Sequence, residues 1–199
     1  MMAVAMSDTA FPRKSGDKPR PSFDAALLAR CREQDPAAFR AFVVAHQRMV
    51  FALLSRMLGA GADVEDLAQE AFVRAYRAFP AFDPNGAAKP STWLLTIATR
   101  LALDHKKRAT LDASDDGDRA ASTATPETQL EQRQLGVAIA AAAAKLPDDQ
   151  RAALVLAEIH GFSTAEIAEA LRVPEATAKT RLFRAREKMR EALEAWRTP

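Results

Sequence analysis

The chain has 199 residues and a formal net charge of +2. That length accommodates one domain or two small ones, and so small a net charge does not by itself establish a polyanionic partner, so the placement of charge has to carry the argument. Alanine, leucine and arginine are abundant while glycine and aromatic residues are few, which favours helix over sheet because those three side chains lose little rotamer freedom in a helical turn. An all-α protein is expected. Cys31 is the only cysteine, which excludes an intrachain disulfide and a cysteine-rich zinc site and leaves it as a small buried hydrophobe.

Residues 1–21 contain Pro12, Pro21, lysines and serines and too little apolar surface to offset ordering, so a disordered tail is expected there. They lack the continuous apolar stretch of a secretory signal. No run approaches the roughly 18 apolar residues of a spanning helix, so no membrane insertion and a cytoplasmic location are expected. From Phe23 onward apolar residues recur at helical spacing. Leu27, Leu28, Phe39, Phe42, Val43, Met49, Val50, Leu53, Leu54 and Met57 predict two helices ending near Gly59. A third is predicted over residues 64–79, stopped by Pro80, and a fourth starts after Pro90, with Ser91 or Thr92 able to cap its free amides.

The fourth helix carries an apolar arc of Trp93, Leu94, Ile97, Ala98 and Leu101, with Thr96, Thr99, Arg100, Leu103 and Lys107 opposite. Trp93, at the arc's edge beside threonines and bases, is suited to stacking on an unpaired base while cations hold phosphates. The competing reading makes Trp93 core and lets Lys106, Lys107 and Arg108 complement the helix dipole. Residues 59–70 hold four acids (Asp63, Glu65, Asp66, Glu70) and no base. The dipole favours acids at a helix start, but DNA would repel this surface, so its partner should be a basic protein surface.

Over residues 111–127 the composition turns to Asp, Ser, Thr, Ala, Gly and Pro, which reads as a flexible acidic linker. The chain therefore divides into a tail (1–21), a first helical domain (22–110), the linker (111–127) and a second helical domain (128–199). The second domain begins with an alanine-rich helix near residues 135–146, ended by Pro147. Ser163 and Glu166 then stand three apart ahead of Ile167, Ala168 and Leu171, the spacing of a capping box. Arg172-Val173-Pro174 breaks the pattern and starts a second short helix, with Pro174 expected in its first turn.

On that helix Ala178, Leu182, Ala185 and Met189 share one face at ~100° per residue, leaving Thr177, Thr180, Arg181, Arg184 and Lys188 on the other. Hydroxyl and guanidinium groups in the first turns of a helix-turn-helix are where base edges and phosphates are read. The alternative is an ordinary solvated charged face. His46, His105 and His160 are isolated, and the sequence holds no metal-ligating cluster and no Gly-rich phosphate loop, so no metal or cofactor is expected.

Three ordered stretches then carry a resemblance: 63-DVEDLAQEAFVRAYR-77, 91-STWLLTIATRLALDH-105, and 146-LPDDQR-151 through Gly161, Phe162 and Ser163 to 177-TAKTRLFRAR-186. Together they resemble the bacterial sigma factors of the extracytoplasmic-function subgroup, over most of residues 23–195. The resemblance implies a region 2 domain whose acidic helix docks on the RNA polymerase clamp through Asp66, Gln69, Glu70 and Arg74. It implies a minus-ten reading segment with Trp93, Thr96, Arg100, Lys107 and Arg108. It further implies a region 4 domain whose Thr177, Lys179, Thr180, Arg181, Arg184 and Lys188 face the minus-thirty-five element, with a contact to the polymerase flap.

Arg100 stands where the family usually has asparagine, and Ala178 replaces a usual valine. The implied partners are core RNA polymerase, promoter DNA and an anti-sigma factor that covers the polymerase-binding surfaces, with the two modules expected either packed together or held by a partner. The expected activity is non-catalytic: directing promoter-specific initiation and helping to open the minus-ten DNA. Two other readings compete with this one. A conventional repressor or activator would bind duplex DNA on its own, as a dimer, without using the Trp93 segment. An enzyme would need an activated nucleophile, a carboxylate pair or a metal set that the sequence does not offer.

Overall fold

The computed structural model describes residues 25–59, 61–84, 86, 88–112 and 128–194. The expected tail lies outside the described residues, as does the expected linker apart from residues 111 and 112, which continue a helix. The described residues form eight α-helices, one short 3-10 segment and no strand, so the all-α expectation holds.

α1 (Ala25–Arg32) and α2 (Pro36–Leu58) meet at Asp35, a hinge with a clear cause. One Asp35 carboxylate oxygen accepts from the amides of Ala37 (2.8 Å) and Ala38 (3.2 Å), and the other accepts from Arg30 (2.7 Å). Pro36 occupies the first helical position, where a missing N–H is harmless. The Arg30 bond first, then the two amides, hold the Asp35 carboxyl below its ordinary pKa.

α2 is the central helix. Phe42, Val50, Leu53, Leu54 and Met57 are buried along one face, each side chain contributing about 1.5–3 kcal/mol on burial. Contrary to expectation, α2 is long and apolar enough to cross a bilayer by length and composition. Its exposed arginines, Arg40, Arg48 and Arg56, alternate with the buried face, the pattern of an amphipathic core helix.

α3 (Ala62–Ala78) runs into the 3-10 turn Phe79–Ala81, so Pro80 stops the helix as expected. α4 (Pro90–Asp112) starts at Pro90 itself, earlier than a cap at Ser91 or Thr92 would give, because proline's fixed φ already suits a first helical position. The carbonyl of Lys89 accepts the first bond, from the Trp93 amide at 2.9 Å. A chain of edge-to-face and tilted rings links Phe39, Phe42, Phe79, Phe82 and Trp93, with centroids 5.0–6.1 Å apart, and ties the turn to the bundle.

α5 (Thr128–Ala144), α6 (Asp148–Glu158), α7 (Thr164–Leu171) and α8 (Glu175–Ala192) make the second module. α5 starts earlier and ends two residues sooner than the expected 135–146; Lys145 and Leu146 close it with i→i+3 bonds to Ala142 and Ala143. The capping box is present: Ser163 Oγ accepts from the Glu166 amide, and the Glu166 carboxylate accepts from the Ser163 amide at 2.7 Å. α7 ends at Arg172, held at φ 53°, and the Val173 amide reaches back to the Ala168 carbonyl (3.0 Å), closing the turn in the Schellman manner. Pro174 sits just before α8 rather than inside its first turn, as the N-cap.

The two modules do not stand apart. α2 and α4 pack against α6, α4 also packs against α7, and one hydrophobic core runs through residues of both modules.

Candidate nucleic-acid interface

The helix-turn-helix presents its reading face outward. Ala178, Leu182 and Ala185 are buried against the module, Met189 is half-buried, and Lys179, Thr180, Arg184 and Lys188 are exposed, with Thr177 half-buried at the start of α8. Thr180 Oγ1 donates to the Ala176 carbonyl at 2.9 Å, which leaves its lone pairs for an incoming donor. Arg181 departs from this pattern. It turns sideways, and its Nε lies 2.7 Å from an Asp149 carboxylate oxygen at the start of α6.

Sequence reasoning missed Phe183. It is 62% exposed, next to Arg184 and one turn from Thr180 and Lys179. Its ring stands in water on the same side of α8 as Thr180. Periodicity alone could have flagged it, since position 183 falls outside the Ala178, Leu182, Ala185 stripe.

α4 is covered on both sides. Leu94, Ala98 and Leu101 face the core as expected, and Trp93 is half-buried against Phe79 (5.2 Å) and Phe82 (5.0 Å). The face expected to be open is not. Thr96 is 6% exposed and Thr99 fully buried; α4 packs against α2 and α3 and also against α6 and α7, and a helical wheel of α4 by itself cannot reveal how much of its circumference is covered. Thr99 Oγ1 is buried without a hydrogen-bond partner.

Arg100, one turn on from Thr96, donates from Nη2 to the Glu169 carbonyl (2.6 Å) and from Nε to the Ala170 carbonyl (3.3 Å) in the last turn of α7. Burial, then the charge of Arg172, lowers its pKa, with Glu169 opposing. Lys106 pairs with Asp148 at 2.5 Å. Lys107 and Arg108 are exposed.

From the second module Arg151, buried, reaches the other way. Its Nη1 donates to the Met57 carbonyl at the end of α2 (2.9 Å), Nε to Ala143 (2.8 Å), and Nη2 to Leu146 (3.3 Å) and to Ala144. Helix C-terminal carbonyls lack intrahelical partners and carry negative partial charge, so a guanidinium satisfies them well. Sequence gives no sign of where such a fork points.

The acidic helix is the open counterpart. On α3, Asp63, Glu65, Asp66, Gln69 and Arg74 are exposed and Glu70 is half-buried. Glu70 pairs with Arg74 at 2.7 Å, an i,i+4 pair of modest worth. His105 Nε2 stands 3.5 Å from Asp63. Cys31 is buried as expected, and burial raises its thiol pKa.

A helical bundle with an exposed acidic helix, packed against a helix-turn-helix whose second helix exposes Lys179, Thr180 and Arg184, defines a two-module all-helical protein. The Sigma-70 region 2 family matches residues 42–111, and the Sigma-70, region 4 family matches residues 136–189. The ECF RNA polymerase sigma factor SigW of Bacillus subtilis (strain 168) is 35% identical over 178 residues, covering 83% of this chain and 94% of SigW. CnrH, solved in complex with the cytosolic domain of CnrY, is similar at a TM-score of 0.61 and 26% identity, over 87% of this chain and 98% of that one.

The sigma factor RpoE, solved with the anti-sigma factor NepR from Bartonella quintana, shares the fold at a TM-score of 0.61 and 24% identity, over 78% of this chain and 96% of that one. The chain belongs to the extracytoplasmic-function sigma factors. It binds core RNA polymerase and directs promoter-specific initiation of transcription, a task of a family of non-enzymatic initiation factors.

Proposed function

We propose that the two modules divide the work as follows. The first, residues 22–110, takes the polymerase clamp through Asp66, Gln69, Glu70 and Arg74, and reads and helps to open the minus-ten element through Trp93, Thr96, Arg100, Lys107 and Arg108. The second, residues 128–199, reads the minus-thirty-five element through Thr177, Lys179, Thr180, Arg181, Arg184 and Lys188 and touches the flap. Residues 111–127 tether them. The observation that carries the assignment is the exposed face of α8, where Lys179, Thr180 and Arg184 stand together in the first turns, the part of a recognition helix that meets base edges.

Phe183 belongs to the same face, where its ring suits apolar contact with a thymine methyl group. The exposed, acid-rich start of α3 supports a basic protein partner there, because duplex DNA would repel it. The polymerase performs the chemistry and this chain none. The chain works where polymerase and chromosome are, in the cytoplasm, and an anti-sigma factor of the kind bound by RpoE would act by covering these surfaces.

Run-off transcription with purified core polymerase tests the reading. Adding the chain should produce promoter-specific transcripts from a set of candidate promoters. Their absence with demonstrably active core, or full biological activity of a chain lacking residues 1–125, would favour a conventional regulator instead.

A further inference from the structure

Resting on that reading, we propose that residues 1–24 dock on the chain's own polymerase-facing helix, with Phe11 seated in an apolar groove between α2 and α3 and the basic run 13–20 lying along the acids of α3. The groove has a volume of about 340 Å³ and is lined by Pro36, Phe39, Arg40, Phe72, Val73 and Tyr76. That is the small end of the range for ligand clefts, about 300–1,000 Å³, and it suits a few side chains of an extended segment.

The chain holds this groove in shape. The Tyr76 hydroxyl donates to the Gln34 carbonyl (3.0 Å) in the corner between α1 and α2, and the Phe39 ring meets the Tyr76 ring edge-on at 4.9 Å. Gln34 is held at φ 59°, a left-handed conformation that residues other than glycine adopt only where their surroundings impose it. The Asp35 cap and its bond from Arg30 fix the corner on the next residue. On the α3 wall Val73 is left 41% exposed.

The order of residues in the segment matches the order of groups on the surface. Residues 1–11 hold Met1, Met2, Val4, Met6 and Phe11, with Asp8 their only charged side chain, and residues 13–20 then hold Arg13, Lys14, Lys18 and Arg20 against Asp17. On α3, Glu65, Asp66, Gln69, Val73 and Tyr76 fall within one arc of about 100°, so the apolar groove and the acids share one side of the helix. A segment with too few apolar residues for a core of its own can still bury them on a ready surface. Reach is ample. Phe11 lies 14 residues before Ala25, up to about 46 Å of extended chain, whereas α1 spans only about 12 Å and ends just before Pro36 at the groove.

Docked there, the segment covers Asp66 and Gln69, which are proposed to meet the clamp, and its bases take the place of the basic protein surface. Segment and polymerase therefore compete for one face of α3. Salt screens the attraction, so the competition is strongest at low ionic strength.

The test uses the full chain with a nitroxide at position 7, attached through Ser7→Cys; Cys31 is buried and stays unlabelled. At low salt the amide signals of Gln69, Val73 and Tyr76 are expected to broaden, and to recover in Phe11→Asp and in Arg13→Glu/Lys14→Glu. Affinity for core polymerase, measured by fluorescence anisotropy, is expected to rise about threefold or more in both variants.

No broadening at these amides, or broadening that both variants leave unchanged, overturns the docking. Broadening that arises only between a nitroxide-bearing chain and a second, nitrogen-15-labelled chain assigns the groove to a second copy and equally overturns it. Docking with unchanged affinity for core overturns the competition. The relaxation measurement involves no polymerase, so the two levels separate: a chain that binds no core in any form removes the sigma reading, while the broadening still decides the docking.

Discussion

α8 and α4 are both proposed to meet DNA, yet one is open and the other is covered. α8 buries a narrow stripe of Ala178, Leu182 and Ala185 and leaves Lys179, Thr180, Phe183 and Arg184 in water. α4 buries Leu94, Leu95, Ala98 and Leu101 and with them Thr96 and Thr99, and its Arg100 bonds to carbonyls of α7. The contrast shows that a reading face is a property of an assembly state as well as of a helix. On the proposed assignment, α8 would meet duplex DNA with the face it already exposes, whereas Thr96 of α4 would first have to be uncovered.

The sharpest way to break this comparison is to cut into each helix in turn. Leu94→Ala should destabilise the protein by about 2–5 kcal/mol, the range for emptying a well-packed site, whereas Phe183→Ala should stay within about 0.5 kcal/mol, as surface changes do. Urea unfolding of both variants checks this, and equal effects would mean that the two helices are not differently packed.

Next, Arg184→Ala should leave the unfolding midpoint in place while weakening promoter duplex binding by about 1–3 kcal/mol, or less where the arginine meets only phosphate. Fluorescence anisotropy against salt reads both the affinity and the lost phosphate contact. A midpoint shift with unchanged affinity would assign Arg184 to structure.

A smaller effect is expected at the capping box. Ser163→Ala removes the acceptor for the Glu166 amide and should cost about 1 kcal/mol, visible as a lower melting temperature.

The smallest expected effect is the dependence on pH. Burial lowers the His46 pKa from its ordinary 6.5, with the bond from its ring to the Phe42 carbonyl (2.8 Å) opposing. Because the unfolded chain takes up the proton more readily, stability is highest above pH 6.5 and declines as pH falls from there through the lower folded-state value. Asp35, whose folded pKa lies below 3.8, adds a contribution present above that value and lost as pH falls through the folded one. Melting curves from pH 8 to pH 5 should show the first decline, and His46→Gln should flatten it.

How much of this was legible in sequence depends on the range of the interaction. The capping box of Ser163 and Glu166, the turn at Arg172, the stripe of Ala178 and Leu182 and the stop at Pro80 are local, and each was readable because cause and consequence lie within a few residues. The outward turn of Arg100 onto α7, the diversion of Arg181 to Asp149 and the reach of Arg151 to Met57 are contacts between modules or between helices of one module. A helical wheel assigns a side chain to a face but not to what will cover that face. The membrane-length apolar run in α2 illustrates the same limit, since its arginines and its burial together, rather than composition, mark it as the core helix.

The most direct test of the two-point account is footprinting on a promoter located by mapping transcript starts, with the chain alone and with core polymerase added. The chain alone should protect at most the minus-thirty-five duplex, through α8, and leave minus-ten thymines unreactive to permanganate; adding core should extend protection to the minus-ten element and make those thymines reactive. Protection and opening of the minus-ten region by the chain alone, or a footprint that core does not change, would contradict it.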